Sequence, residues 1–380
     1  MTDAPLGPLA GLLAGVRDLK RVRDTRSPRS LAERQFGRAW ARLVSGEPVE
    51  AVALSETAAA VAAVRLGGLD AGALLAHGVG EAEAARALAA AFDDVAGPVD
   101  GTLRERLRAA LGPLPHGDEP ALVDLLVRQP RAGATHPGLP RLVLEPAESH
   151  ADHCFAVAAL GVLLAPRFGA EPGRVFLVGL AHHLFNTSVP DAGHAGDVLL
   201  GELADRLAVV ASSRALATLP DALRPTVREA LALTTEARFG EPEARAFHAA
   251  DVLDRVLEMA WHERSARFRL ADALGSDTAA GQLDICHGGF YQDFQQRVLR
   301  DAGLMTDETT GPDAGRDTDG TDSDGSAFDR DRQPSGSYEA GGHGAVPAAS
   351  PEAEGPGAED GRELADGAHV AHLERRELGS

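Results

Sequence analysis

The sequence is poor in lysine, cysteine and aromatic residues. Lys20 is its only lysine among 37 basic residues, and aromatic residues make up 4% of the chain. Two cysteines, Cys154 and Cys286, are too few for a disulfide framework. Because no long alternation of β-branched residues occurs, and Ala, Leu and Val supply most of the apolar side chains, we expect an all-α protein.

Long hydrophobic runs are also missing. No stretch approaches the roughly 18 uninterrupted apolar residues that a membrane helix needs. The apolar segment over residues 5–16 is short, and its basic neighbours follow it, whereas those of a signal peptide precede it. The sequence therefore predicts a cytoplasmic protein without a membrane segment.

The net charge of −20 is unevenly distributed. Residues 305–380 carry 18 acidic residues and six arginines, so this segment accounts for −12 and residues 1–304 for only −8. An acidic chain lacks the clustered cations that phosphate backbones require. We therefore expect no extended nucleic-acid surface.

Shifts in composition divide the chain into five parts. Residues 1–30 predict a loosely ordered leader with one possible short helix, and residues 31–112 predict an amino-terminal helical region. Residues 113–147 are rich in proline and predict a connector that holds one short helix. Helical periodicity returns over residues 148–304, whereas residues 305–380 contain so few apolar side chains that they predict a disordered acidic tail.

Histidines concentrate in the second helical region, where eight of the 14 fall between positions 150 and 287. Imidazole is the commonest protein ligand for transition metals near neutral pH. His153 follows the apolar face of a predicted helix, and His182 and His183 end an apolar segment just before an irregular loop. A buried core histidine and a pair that caps helix carbonyls are the alternative interpretations.

A predicted helix over residues 243–269 carries ionisable side chains in a single stripe. The stripe consists of His248, Asp251, Arg255, Glu258 and His262. Periodicity alone makes such a stripe equally typical of a solvated helix surface. A functional site requires it to face His153 and His182 across a bundle.

Three segments, in this order, resemble the motifs of HD-domain phosphohydrolases. They are Glu148-Ser-His-Ala-Asp-His153-Cys-Phe-Ala-Val-Ala, then Gly179-Leu-Ala-His182-His183-Leu, and finally Phe247-His-Ala-Ala-Asp251-Val-Leu-Asp. The likeness covers residues 148–261. It implies an HD-type helical bundle in which histidines and aspartates hold a divalent ion.

Carried over by position, the resemblance implies a metal site formed by His153, His182, His183 and Asp251. His183 stands where the family has aspartate. Histidine brings no negative charge and cannot bridge two ions as a carboxylate does. The expected cofactor is therefore a divalent transition metal, namely Mn, Fe, Co, Ni or Zn.

The resemblance implies metal-dependent hydrolysis of a phosphate ester or anhydride, with a small phosphorylated molecule such as a nucleotide as substrate. Asp197 is the candidate proton shuttle, and Arg255, one turn from Asp251, is the candidate phosphate-binding residue. The alternative is a degenerate, non-catalytic HD-like module that senses a ligand or binds a partner, which the histidine at position 183 favours. The sequence leaves the metal, the substrate and the oligomeric state open.

Overall fold

The computed structural model describes residues 6–143, 145–266 and 292–304, and these residues are predominantly helical, which confirms the predicted all-α class. The α-helices are α1 Gly7–Arg17, α2 Leu31–Val44, α3 Val49–Leu66, α4 Ala71–Ala76, α5 Glu81–Val95, α6 Gly101–Ala109, α7 Ala121–Arg128, α8 His150–Phe168, α9 Pro172–Ala181, α10 Gly193–Leu200, α11 Glu202–Ala217, α12 Arg224–Ala232, α13 Pro242–Ala266 and α14 Gln292–Asp301. The predicted acidic tail, residues 305–380, lies outside the described residues. The same holds for Cys286 and for His287, the last of the eight clustered histidines.

Short elements complete the described part of the chain. Three 3-10 helices occupy Asp18–Lys20, Leu184–Thr187 and Glu236–Arg238. Strands β1, Arg23–Asp24, and β2, Ser27–Ser30, form a small antiparallel hairpin, which the sequence did not predict because strands this short show no alternation.

Helix α8 lies at the centre of the core. It begins with a capping box in which Ser149 and Asp152 satisfy each other's backbone N–H groups. Nearly all of its residues are buried, and it packs against α2, α3, α9 and α13. By length and hydropathy α8 resembles a membrane span, but 89% of that stretch is buried inside the protein. The helices before the proline-rich connector and those after it therefore share one core.

The amino-terminal segment differs from the loosely ordered leader predicted for residues 1–30. Helix α1 buries Leu12, Leu13 and Val16, and the side chains of Arg17 and Lys20 are buried as well. The two basic residues neutralise acidic side chains of α13, a long-range contact that the composition of the leader does not reveal. The segment is therefore an ordered part of the core.

Helices α8 and α9 approach each other closely at Gly179. A Cβ atom at this position would lie 2.5 Å from Cα and 2.6 Å from the backbone nitrogen of Ala158. Backbone atoms cannot move aside as the end of a flexible side chain can, so glycine is required here. The contact lies three residues before His182 and thereby sets the position of that ring relative to α8.

We expect Gly179→Ala to lower the free energy of unfolding by about 1–3 kcal/mol, because the added methyl group forces α8 and α9 apart. Chemical denaturation measures the change. The control is Gly11→Ala in α1, where an added Cβ has nothing within 4 Å and should stabilise the helix by about 0.5–1 kcal/mol. Equal stability of the two variants would contradict the close-approach argument.

Candidate metal centre

The four predicted ligands come from three helices that meet in the core. His153 lies in the first turns of α8, His182 and His183 follow the end of α9, and Asp251 lies on α13. Nε2 of His153 is 3.1 Å from Nε2 of His182 and 3.2 Å from Oδ1 of Asp251. One ring nitrogen from each of the three histidines lies within 4.8 Å of the other two. The α13 stripe thus faces the histidines.

Hydrogen bonds at the outer edge of the cluster define the tautomers of two rings. Nδ1 of His182 is 2.8 Å from the carbonyl oxygen of Gly179, to which it can only donate. Nδ1 of His153 is 2.8 Å from Oδ2 of Asp254 and donates to that carboxylate. When both rings are neutral, each Nε2 therefore carries a lone pair, and the two lone pairs face each other.

Burial and neighbouring charges keep these groups in the states that metal ligands need. Burial, followed by the nearby His153, lowers the pKa of His182 to about 3, so its ring is neutral at pH 7. Burial alone would raise the pKa of Asp251, but Arg255 and His153 hold it well below its ordinary value. Nε2 of His153 thus faces two further acceptor atoms, one on His182 and one on Asp251. A metal ion between such atoms would offset the repulsion of their lone pairs.

His183 differs from the other two histidines because both of its ring nitrogens already have partners. Nδ1 donates to Oδ1 of Asn186 at 2.8 Å, and the amide of Asn186 is oriented by its own bond to the carbonyl of Val189. Nε2 accepts a hydrogen bond of 2.7 Å from the guanidinium of Arg131. Burial and its cationic or imidazole neighbours lower the pKa of His183 well below its ordinary value. His183 can bind a metal through Nε2 only if Arg131 moves away.

A fourth histidine, His150, borders the cluster. Its ring centroid is 4.9 Å from that of His183, and its Nδ1 donates to the carbonyl of Gln129 at 3.0 Å. Burial and the charge of Arg131 lower the pKa of His150 to about 4. Its buried Nε2 makes no hydrogen bond and lies 3.6 Å from Oδ2 of Asp191. His150 is thus a neutral imidazole behind His183.

A second set of metal-like ligands surrounds the other side of His153. Glu148, His153 and Asp254 bring their donor atoms within 4.8 Å of one another. The ammonium of Lys20 pairs with both carboxylates, at 2.5 Å from Oδ1 of Asp254. The ammonium group of Lys20 therefore already supplies the positive charge that a metal ion would bring to Glu148 and Asp254.

The two other predicted site residues occupy different surroundings. Arg255 forms an ion pair with Asp251, one turn away on α13, so its charge is directed at a candidate ligand. Asp197 lies exposed on α10, and its proposed role as a proton shuttle stays a prediction. The loop carboxylate that borders the cluster is Asp191, which accepts backbone N–H groups of Ala132 and Gly193 at 2.9 Å.

The α13 stripe is largely buried rather than solvated. Glu258 and His262 are each 8% exposed, and Nε2 of His262 lies 2.8 Å from Oε1 of Glu258. Sequence reasoning missed three residues around the centre, namely Lys20, Arg131 and Asp254. Lys20 could have been singled out from the sequence, because it is the only lysine in an arginine-rich chain.

Comparison with known proteins adds no assignment to this geometry. No family model matches the chain, and no curated protein or solved structure matches it.

Proposed function

We propose that the chain is a metal-dependent hydrolase of phosphate esters or anhydrides, with a small phosphorylated molecule such as a nucleotide as substrate. The observation that carries the proposal is the meeting of one ring nitrogen each from His153, His182 and His183 within 4.8 Å of one another, with Oδ1 of Asp251 3.2 Å from Nε2 of His153. Ligands that share a tetrahedral ion at about 2.1 Å lie roughly 3.4 Å apart, and Nε2 of His153 lies 3.1 Å from Nε2 of His182.

The donor set favours an ion of borderline softness. Two imidazoles and one carboxylate, with His183 as a fourth candidate ligand, suit Mn, Fe, Co, Ni or Zn better than Mg. Such an ion lowers the pKa of a water molecule and neutralises phosphoryl oxygens.

The chain's own residues supply the remaining requirements of this reaction. Gly179 and Asp254 orient the two imidazoles by accepting their Nδ1–H groups. Arg131 and Arg255 stand next to candidate ligands and offer guanidinium groups whose forked donors match phosphoryl oxygens. Burial excludes bulk water from His153 and so strengthens each of these electrostatic contacts.

One observation favours the alternative, a degenerate HD-like module that senses a ligand or binds a partner. The guanidinium of Arg131 occupies Nε2 of His183 and brings a positive charge to the place where a dication would bind. With His183 withdrawn, Nε2 of His153 still contacts His182 and Asp251 without any metal. The two functions therefore differ in the role of His183.

His183 variants separate the two proposals in a phosphatase assay on nucleotides and generic phosphate esters with Mn, Co, Ni or Zn. For the hydrolase, we expect His183→Ala to lower kcat/KM by at least about 100-fold, because a fourth ligand is lost from the ion. His194→Ala is the matched control. It removes a histidine of α10 whose ring centroid lies 6.2 Å from that of His136, and should leave activity unchanged.

The opposite pattern supports the module. A wild-type protein that is inactive on the whole panel, together with a gain of activity in His183→Asp, would overturn the hydrolase proposal. The aspartate would then restore the negative charge that His183 lacks.

A further inference from the structure

Lys20 is an exception in its own sequence. It is the only lysine, whereas every other basic residue among the 37 is arginine. Its side chain is only 3% exposed although it carries a charge. Buried ammonium groups are costly unless they are paired and hydrogen-bonded. The position of this residue therefore calls for a specific explanation.

The contacts of Lys20 join the amino-terminal segment to the candidate metal centre. Its Nζ lies 2.5 and 2.6 Å from the two carboxylate oxygens of Asp254, and it also forms an ion pair with Glu148. The ammonium has three N–H donors and so can serve both carboxylates at once.

Asp254 passes this constraint on to His153. The oxygen that accepts Nδ1–H of His153, Oδ2 at 2.8 Å, belongs to the carboxylate that Lys20 holds from its other side. Asp254 is 1% exposed, so water is not available as a competing donor. Rotation of the His153 ring, or a move of its proton to Nε2, would remove one of the two hydrogen bonds that this oxygen accepts and leave it only the bond from Lys20.

We propose that Lys20 is a positioning residue of the metal centre: acting through Asp254, it sets the orientation and tautomer of His153 so that the Nε2 lone pair faces His182 and Asp251. The inference rests on the proposed function in one respect, that a metal ion uses this lone pair. It makes the amino-terminal segment part of the centre, although 234 positions separate Lys20 from Asp254.

The shape of the side chain explains why lysine occupies this position. A compact ammonium can lie between two carboxylates that approach from different elements, whereas the planar guanidinium fork of arginine favours one carboxylate in a bidentate pair. The neighbouring cations Arg17 and Arg21 instead pair with Glu258, one turn further along α13. Arg17 also lies 3.7 Å from Oδ1 of Asp254. Lys20, in contrast, contacts Oδ2, the oxygen that accepts the Nδ1–H group of His153.

The test measures binding of Zn²⁺ and Co²⁺ to chelator-stripped, full-length protein by calorimetry. We expect Lys20→Met to weaken both metals roughly 10- to 100-fold, as loss of an outer hydrogen-bond partner does at metal sites. Lys20→Gln keeps a donor for Asp254 but removes the charge, and should weaken binding in the same direction if Lys20→Met fails to fold. Wild-type affinity in either folded variant overturns the proposal.

The matched control is Arg38→Met, which removes another buried cation. Arg38 is 9% exposed and makes a bidentate pair with the fully buried Glu56, but it has no contact with Asp254 or His153. This variant should lose stability and retain its metal affinity. If it weakens metal binding as much as Lys20→Met does, the effect reflects general destabilisation and the proposal is wrong.

A second readout separates this proposal from the proposed function. Long-range ¹H–¹⁵N spectra of the histidine rings in metal-free protein report which nitrogen of His153 carries the proton, with the signal assigned by its loss in His153→Ala. We expect the Nδ1–H tautomer in the wild type and a mixture in Lys20→Met. Absence of metal binding by the wild type overturns the proposed function alone, whereas an unchanged tautomer in Lys20→Met overturns the role of Lys20.

Discussion

Protein purified without chelator is expected to carry about one equivalent of Mn, Fe, Co, Ni or Zn, and His182→Ala is expected to lose it. Nε2 of His182 carries a lone pair and no proton, because the proton of the neutral ring is on Nδ1, which donates it to the carbonyl of Gly179. Burial and His153 lower the pKa of the ring to about 3. Removal of this ring deletes a ligand rather than an outer partner. The affinity should therefore fall by more than the roughly 10- to 100-fold that outer partners contribute.

Elemental analysis of the purified variants measures the metal content. Asp251→Ala should also lose the metal, because its carboxylate is the only candidate ligand that brings negative charge to Nε2 of His153 at 3.2 Å. His194→Ala again serves as the control and should retain it. If the wild type contains no transition metal and none binds on titration, the metal-dependent function is excluded.

We expect Arg17→Met to lower the free energy of unfolding by about 3–5 kcal/mol, the range for removing one partner of a buried ion pair. Arg17 is 0% exposed and forms an ion pair with Glu258, and it lies 3.7 Å from Oδ1 of Asp254. Methionine fills a similar volume but leaves the buried carboxylates short of one positive charge. The cost therefore comes from electrostatics rather than from a cavity.

Urea denaturation of the wild type and the variant measures this difference. The control is Arg108→Met, which removes an arginine from an exposed ion pair with Asp93 and should leave the unfolding midpoint essentially unchanged. A cost for Arg17→Met as small as that of the control would show that α1 contributes little to the stability of the core.

Local sequence predicted the helical class and several of the helices. Ser149 and Asp152 have the spacing of a capping box, and α8 begins immediately after Ser149. The short helix predicted in the proline-rich connector is present as α7. Caps and apolar periodicity act within a few residues of each other, so they can be recognised without knowing the rest of the fold.

Local sequence was less informative where a helix meets distant charges. The α13 stripe has the same pattern as a solvated surface, yet its Glu258 is buried, and so is Asp254 next to the stripe. Arg17, Arg21 and Lys20 make this burial feasible by pairing with them. The leader that the composition predicts as loosely ordered packs into the core for the same reason, since Lys20 and Arg21 have their partners more than 200 positions further along the chain.

The sequence by itself determined that the protein is helical, where α8 and α9 lie, and that His153, His182, His183 and Asp251 are the residues to examine. Only the tertiary structure decided what surrounds each of them. Lys20 and Asp254 fix the ring of His153, and Arg131 occupies the nitrogen of His183 that a metal would use. The physical reason is that the tautomer and charge of an imidazole depend on which donors and acceptors contact its two nitrogens, and those contacts come from segments far apart in the chain.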